Sequence, residues 1–209
     1  MDVFCDLVLI RELAEPGSDV RHGVNFVARP PREIISEITR IQAMLRRVEP
    51  GQYYYPSPDL HLTVFEISQS LKPEEAAFVA ESAGLRSDLL LKNLPSFVLH
   101  SPTMIFDERG TALRFEPDER FMSLRSLIDR RLSALGVSVM ARDGFVSPHV
   151  TFMRYLQPQA NADVWLNLLR DIRPEPSLTW PVTEFWLTWG ATWFGMRSRI
   201  KEQGPYPLS

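Results

Sequence analysis

The feature that most restricts what this chain can fold into is a short motif that occurs twice. Ser57-Pro58-Asp59-Leu60-His61-Leu62-Thr63-Val64-Phe65 resembles Ser147-Pro148-His149-Val150-Thr151-Phe152. Each copy follows a segment of helical character, 31–47 and 118–135, and opens a stretch that alternates like a strand. Two such units can pack about a pseudo-twofold axis and bring both histidines to one central cleft.

The rest of the chain fits a repeated strand–helix–strand order. Residues 3–13 read as a strand, with a turn at Glu15-Pro16-Gly17-Ser18, and 23–28 as a second strand. Pro30-Pro31 opens a helix, where proline is tolerated. Ile34, Ile38, Ile41 and Leu45 mark its buried face at helical spacing. A loop rich in proline and tyrosine occupies 49–58, and a strand follows over 60–68. The pattern then predicts a helix over 73–85 and two strands, 97–106 and 111–115, around the turn 107–110. A helix over 118–135 is closed by Gly136. A strand at 146–155, a helix at 161–169 and strands at 178–189 and 193–201 complete the order. No linker is visible, so 1–209 reads as a single bilobal domain, with 1–21 as an N-terminal extension or edge strand.

Composition excludes several classes. The 209 residues carry 44% hydrophobic and 23% charged side chains, ordinary values for a globular protein. One cysteine, Cys5, allows no internal disulfide and no thiolate zinc site, and is expected to be a small buried residue. No apolar run approaches the length of a membrane-spanning helix, and the start of the chain lacks the pattern of a signal peptide. A cytoplasmic location is the default expectation, and a monomer is expected. The net charge of −3 argues against a protein that coats long nucleic acid. A nucleotide or an RNA end, gripped locally, stays open as a partner.

Two of the four histidines, His61 and His149, stand in the pattern His–apolar–Thr–apolar. On composition alone a given histidine meets that pattern roughly once in fifty. Residues i and i+2 of a strand share a face. His61 therefore points with Thr63, and His149 with Thr151, while the apolar residues anchor the strand. Histidine titrates near neutral pH, so one imidazole can act as base while another acts as acid. Threonine hydroxyls can donate to phosphate oxygens as charge builds. Such a set can open a cyclic phosphodiester without a cofactor or metal, and neither is expected.

Paired motifs of this kind in a duplicated αβ chain resemble the 2H phosphoesterase superfamily, which includes the 2′,5′-RNA ligase-like proteins and cyclic phosphodiesterases. The residues that carry the resemblance are His61-Leu62-Thr63-Val64 and His149-Val150-Thr151-Phe152, with Pro148 before the second motif and Arg154 after it. It extends over about residues 22–208. It implies an α+β fold of two pseudo-symmetric lobes, each an antiparallel sheet with flanking helices, around a central cleft. It also implies hydrolysis of 2′,3′-cyclic phosphates on RNA ends or nucleotides. The first motif departs from the family, with Phe65 and Glu66 where an arginine often follows.

Other readings of the same residues stay open at this stage. The histidines can be structural, or part of a zinc site, although no third ligand is marked. The reaction can run as RNA ligation, or the fold can bind a nucleotide or RNA without turnover. Arg154 is a candidate phosphate contact, although alternation sets it on the face opposite His149. Tyr53, Tyr54 and Tyr55 precede the first motif, and Tyr55 is a candidate to stack on a base. Trp186, Trp189 and Trp193 are expected in the core. Arg197, Arg199 and Lys201 are expected on a solvated edge. His22 and His100 have no partner pattern.

Overall fold

The computed structural model describes residues 5–85, 87–137, 147–191 and 200–209. In chain order the elements are α1 (Leu7–Ala14), β1 (His22–Ala28), α2 (Arg32–Val48), β2 (Tyr53–Tyr54), β3 (Leu62–Leu71), α3 (Pro73–Leu85), α4 (Ser87–Leu91), β4 (Phe97–Phe106), β5 (Gly110–Pro117), α5 (Glu119–Ala134), β6 (His149–Arg154), α6 (Ala162–Asp171), β7 (Trp180–Val182), β8 (Glu184–Gly190) and β9 (Ile200–Pro207). A single 3₁₀ turn, Ser57–Asp59, lies before β3.

The strands form one curled antiparallel sheet in the order β7-β4-β5-β6-β3-β1-β8-β9, with β2 added alongside β6. That order is palindromic about the β6–β3 junction. Strand β1 sits between β3 and β8, and β5 sits between β6 and β4. The strand–helix–strand units β1-α2-β3 and β5-α5-β6 are therefore equivalent. The halves meet through the register pair Leu62–Val150.

Both members of that pair are fully buried, so their side chains point to the helical face of the sheet. On that face the apolar stripes of α2 (Ile34, Ile38, Ile41, Leu45) and α5 (Phe121, Leu124, Ile128, Leu132) pack into one hydrophobic cluster with Phe26, Val64, Leu113, Phe115, Phe152 and Leu187. Each stripe follows the i, i+3, i+4 spacing of an amphipathic helix. The ends of α5 are set locally. Asp118 accepts from the Arg120 N–H at the start, and Gly136, at φ +72, ends the helix as Val137 N–H reaches back to the Leu132 carbonyl. Helix α3 presents Ala76, Ala80 and Ala83, all buried, which allows close approach to the sheet.

Five sequence expectations are corrected. Residues 7–14 of the segment read as a strand, 3–13, are helical. The Asp6 carboxylate caps this helix by accepting the Leu9 N–H at 3.1 Å, and the buried residues Leu9 and Glu12 recur at helical, not strand, spacing. Glu12 then accepts from the Gly17 and Asp19 N–H groups and shapes the turn. The strand expected over 178–189 is two strands broken at Thr183. Apolar alternation looks the same on both sides, but β7 pairs with β4 and β8 with β1, in opposite halves. The loop expected over 49–58 contains β2. Of the last strand expected over 193–201, residues 193–199 lie outside the described residues; β9 runs over Ile200–Pro207, with its prolines tolerated because it is an edge. Helix α4 had no clear sequence signal. Cys5 is half-buried rather than buried. Trp193, Arg197 and Arg199 lie outside the described residues, and Lys201 is exposed on the edge.

Candidate active site

The face of the sheet opposite Leu62 and Val150 carries both motifs. Alternation sends His61 and Thr63 to one side of β3 and Leu62 and Val64 to the other. In β6, His149 and Thr151 alternate with Val150 and Phe152 in the same way. Continuing the antiparallel register one residue either side of Leu62–Val150 sets His61 across from Thr151 and Thr63 across from His149. The histidines are then diagonal neighbours, which in an antiparallel pair stand roughly 7–8 Å apart. A tetrahedral phosphate fits between two imidazoles at that separation.

The neighbouring strands extend the pattern. Thr63 pairs with Val27 and Leu62 with Ala28, so the next position outward from His61 is Arg29. Arg29 indeed lines the same pocket as His61 and Thr63, with Asn25, Val27, Thr188 and Ile200. On the other side Thr151 pairs with Ala112 and His149 with Arg114. Two rows result, Arg29–His61–Thr151–Ala112 and Val27–Thr63–His149–Arg114. The pseudo-twofold axis through Leu62–Val150 exchanges them.

Each imidazole is fixed in the same way. His61 Nδ1 lies 2.8 Å from the Asp59 carbonyl and His149 Nδ1 lies 2.9 Å from the Ser147 carbonyl. A carbonyl only accepts, so Nδ1 carries the proton in both rings. In the neutral tautomer Nε2 then holds the free lone pair. In both copies the accepting carbonyl lies two residues before the histidine, at Asp59, which ends the 3₁₀ turn Ser57–Asp59, and at Ser147. Burial pushes the His61 imidazole down to about 4, against the raising effect of the Asp59 carbonyl and with the Arg29 and His149 charges adding to the depression. His61 is thus a neutral base at neutral pH.

The strands are held from behind by a reciprocal pair of side chains. Gln42 of α2 donates from Nε2 to the Phe152 and Tyr55 carbonyls, both at 2.9 Å. Arg125 of α5 donates to the Val64 carbonyl. Val64 and Phe152 each follow a motif threonine. Val64 lies where the β1–β3 register shifts, and Arg125 also stacks over Phe65 at 5.4 Å.

Two candidate substrate contacts lie elsewhere. Arg154 points away from the histidines, with Nη1 3.5 Å from Oδ2 of Asp6, which is only 2% exposed. Tyr55 is 3% exposed, edge-on to Tyr53, and packed in the core. Its backbone N–H bonds the Phe152 carbonyl. Tyr54 is buried with its hydroxyl on the Glu49 carbonyl, and burial pushes the Tyr53 phenol up to about 12. Trp189 packs on the core as expected. Trp186 does not. It pairs with Val27 and stands half-buried on the site face. Arg29, Arg114, Gln42 and Arg125 went unmarked in the sequence. A signal for them existed in the equivalence of α2 with α5 and of β1 with β5, but loop lengths differ between the copies and blur that alignment.

Among the described residues no group of three or more His, Cys, Asp or Glu side chains is placed to hold a metal ion. Nor is any helix long and apolar enough to cross a membrane.

Compared by sequence, the chain matches no family model and no curated protein. Compared by structure, it is similar to a phosphoesterase at 19% identity, with a TM-score of 0.60 over 90% of this chain and 99% of that one. It is similar to E. coli LigT, solved in complex with ATP, at 18% identity and a TM-score of 0.58, over 90% and 99% of the two chains. A protein of Thermus thermophilus follows at 20% identity and 0.56, over 89% and 97%. These likenesses establish the fold, which is α+β and LigT-like, as the motif resemblance implies.

Proposed function

We propose that this chain is a 2H phosphoesterase that hydrolyses a cyclic phosphodiester, the 2′,3′-cyclic phosphate of a nucleotide or RNA end. The observation that carries the reading is the pseudo-twofold set of His61, Thr63, His149 and Thr151 around one register pair, with both imidazoles held through Nδ1. The LigT-like fold supports it, as does the phosphoesterase description of one structural relative. So does the solution of LigT with a nucleotide, ATP.

In this reading His61 takes a proton from water through Nε2. The oxygen of that water bonds to phosphorus, and the P–O bond to one ribose oxygen breaks. His149, protonated, delivers its proton to the departing ribose oxygen. Each proton transfer contributes about 10²–10⁴-fold. Thr63 and Thr151 donate to the non-bridging oxygens as negative charge builds on them. The half-buried position of His61 beside Arg29 suits the base. The family implies a 2′-phosphate product.

The test is direct. The four nucleoside 2′,3′-cyclic monophosphates are incubated with protein in EDTA and followed by phosphorus NMR. The expected result is loss of the cyclic resonance and growth of a single phosphomonoester. Binding of these nucleotides with no product would overturn the catalytic reading in favour of a binding module.

A further inference from the structure

The two rows of the site differ at their outer ends. Arg29 is neutralised. Its Nη2 lies 3.3 Å from Glu202 Oε2 and its Nε 3.4 Å from Oε1, while Nη1 donates to the Leu60 carbonyl at 3.4 Å. Arg114 holds the equivalent place beside His149. It is exposed, and no described carboxylate or carbonyl engages it. Among the described residues, one of two symmetry-related guanidinium groups is thus closed off and the other left open on the site face.

An arginine presents a planar fork of donors that matches phosphate oxygens two at a time. Strand β5 lies one spacing, about 4.8 Å, farther from the axis than β6. An anion on Arg114 is therefore displaced outward from a phosphate held between the histidines.

We infer that Arg114 binds a second phosphate of the substrate, one linkage away from the cyclic phosphate. The site would then favour a phosphate-bearing nucleotide over a bare nucleoside cyclic phosphate. The inference rests on the cyclic phosphodiesterase reading above. Two sources supply the same chemistry: the 5′-phosphate of a mononucleotide, and the phosphodiester that precedes the last nucleotide of an RNA.

The test compares kcat/KM for adenosine 2′,3′-cyclic phosphate, its 5′-phosphorylated form, and a dinucleotide ending in the same cyclic phosphate. The wild type is expected to prefer at least one phosphate-bearing substrate by about tenfold, carried by KM, as for a charged hydrogen-bonded contact. R114Q is expected to bring that ratio close to one, and R114K to keep part of it. Preference for the 5′-phosphorylated nucleotide alone assigns the mononucleotide source, and preference for the dinucleotide alone assigns the RNA end. A wild-type ratio near one on both, or a preference that survives in R114Q, overturns the inference. Calorimetric titration with adenosine 2′-phosphate and adenosine 2′,5′-bisphosphate separates the two claims. Tighter binding of the bisphosphate by the wild type but not by R114Q, with no turnover of any cyclic phosphate, would retain the phosphate site and reject the catalytic reading.

Discussion

Gln42 and Arg125 occupy equivalent positions in the two halves, and each donates to the carbonyl that follows the other half's motif threonine. Gln42 follows the buried Ile41, and Arg125 follows the buried Leu124. Each helix therefore braces the motif strand of the opposite half. Gln42→Leu removes the donor shared by the Tyr55 and Phe152 carbonyls; Phe152 keeps the Tyr55 N–H, and a cost of about 1–3 kcal/mol is expected for the lost bonds. Urea denaturation measures it. A fall in kcat alongside the lost stability is expected too, because the same bonds set the position of Thr151.

The ion pair between Arg154 and Asp6 predicts a structural role for an arginine that the sequence suggested for phosphate. Arg154→Leu strips the counter-charge from a nearly fully buried carboxylate. The expected loss is about 3 kcal/mol of unfolding free energy, read by chemical denaturation. The effect should appear in stability rather than in KM.

The depressed imidazole of His61 ties both stability and activity to pH. In the unfolded chain the ring titrates near its ordinary value of 6.5, and in the folded chain near 4. Between those values the unfolded state binds more protons, so acidification destabilises the fold through this window and adds nothing above it. His61→Asn should flatten the dependence of melting temperature on pH from 6.5 to 4. In the wild type the acid limb of kcat/KM should fall near pH 4 rather than near 6.5.

The hydroxyls of Thr63 and Thr151 can be removed without changing the strand. Valine is β-branched and close in shape, so Thr63→Val and Thr151→Val keep the strand geometry. Each is expected to lower kcat by about 10², and serine at either position should restore part of it. Steady-state kinetics on a cyclic nucleotide checks both.

How much of this was legible in the sequence depends on the length scale. The motif strands, the faces of α2 and α5, and the pairing of His with Thr follow from local periodicity, because periods of 2 and 3.6 fix which side chains share a face. The half to which 178–182 belongs does not follow, since strand pairing is non-local and the same alternation serves either partner. The helical state of 7–14 was hidden because Val8 and Ile10 favour strands, and the Asp6 cap outweighs them. Arg114 gained its meaning only from the register that sets it beside His149. The contact of Arg154 with Asp6 was hidden too, since nothing local to either residue links positions 148 apart in the chain. The departure at Phe65 and Glu66 also gained a reason, since Phe65 packs under Arg125 where the two halves brace each other.

The two-histidine site is tested most directly by kcat/KM of His61→Asn and His149→Asn on a 2′,3′-cyclic nucleotide in EDTA, with circular dichroism to show that both variants fold. Each substitution is expected to lower the rate by about 10²–10⁴-fold. The double variant should be little worse than either alone, because the base and acid act as one unit. Near wild-type turnover in either single variant would contradict the division of labour between the two motifs.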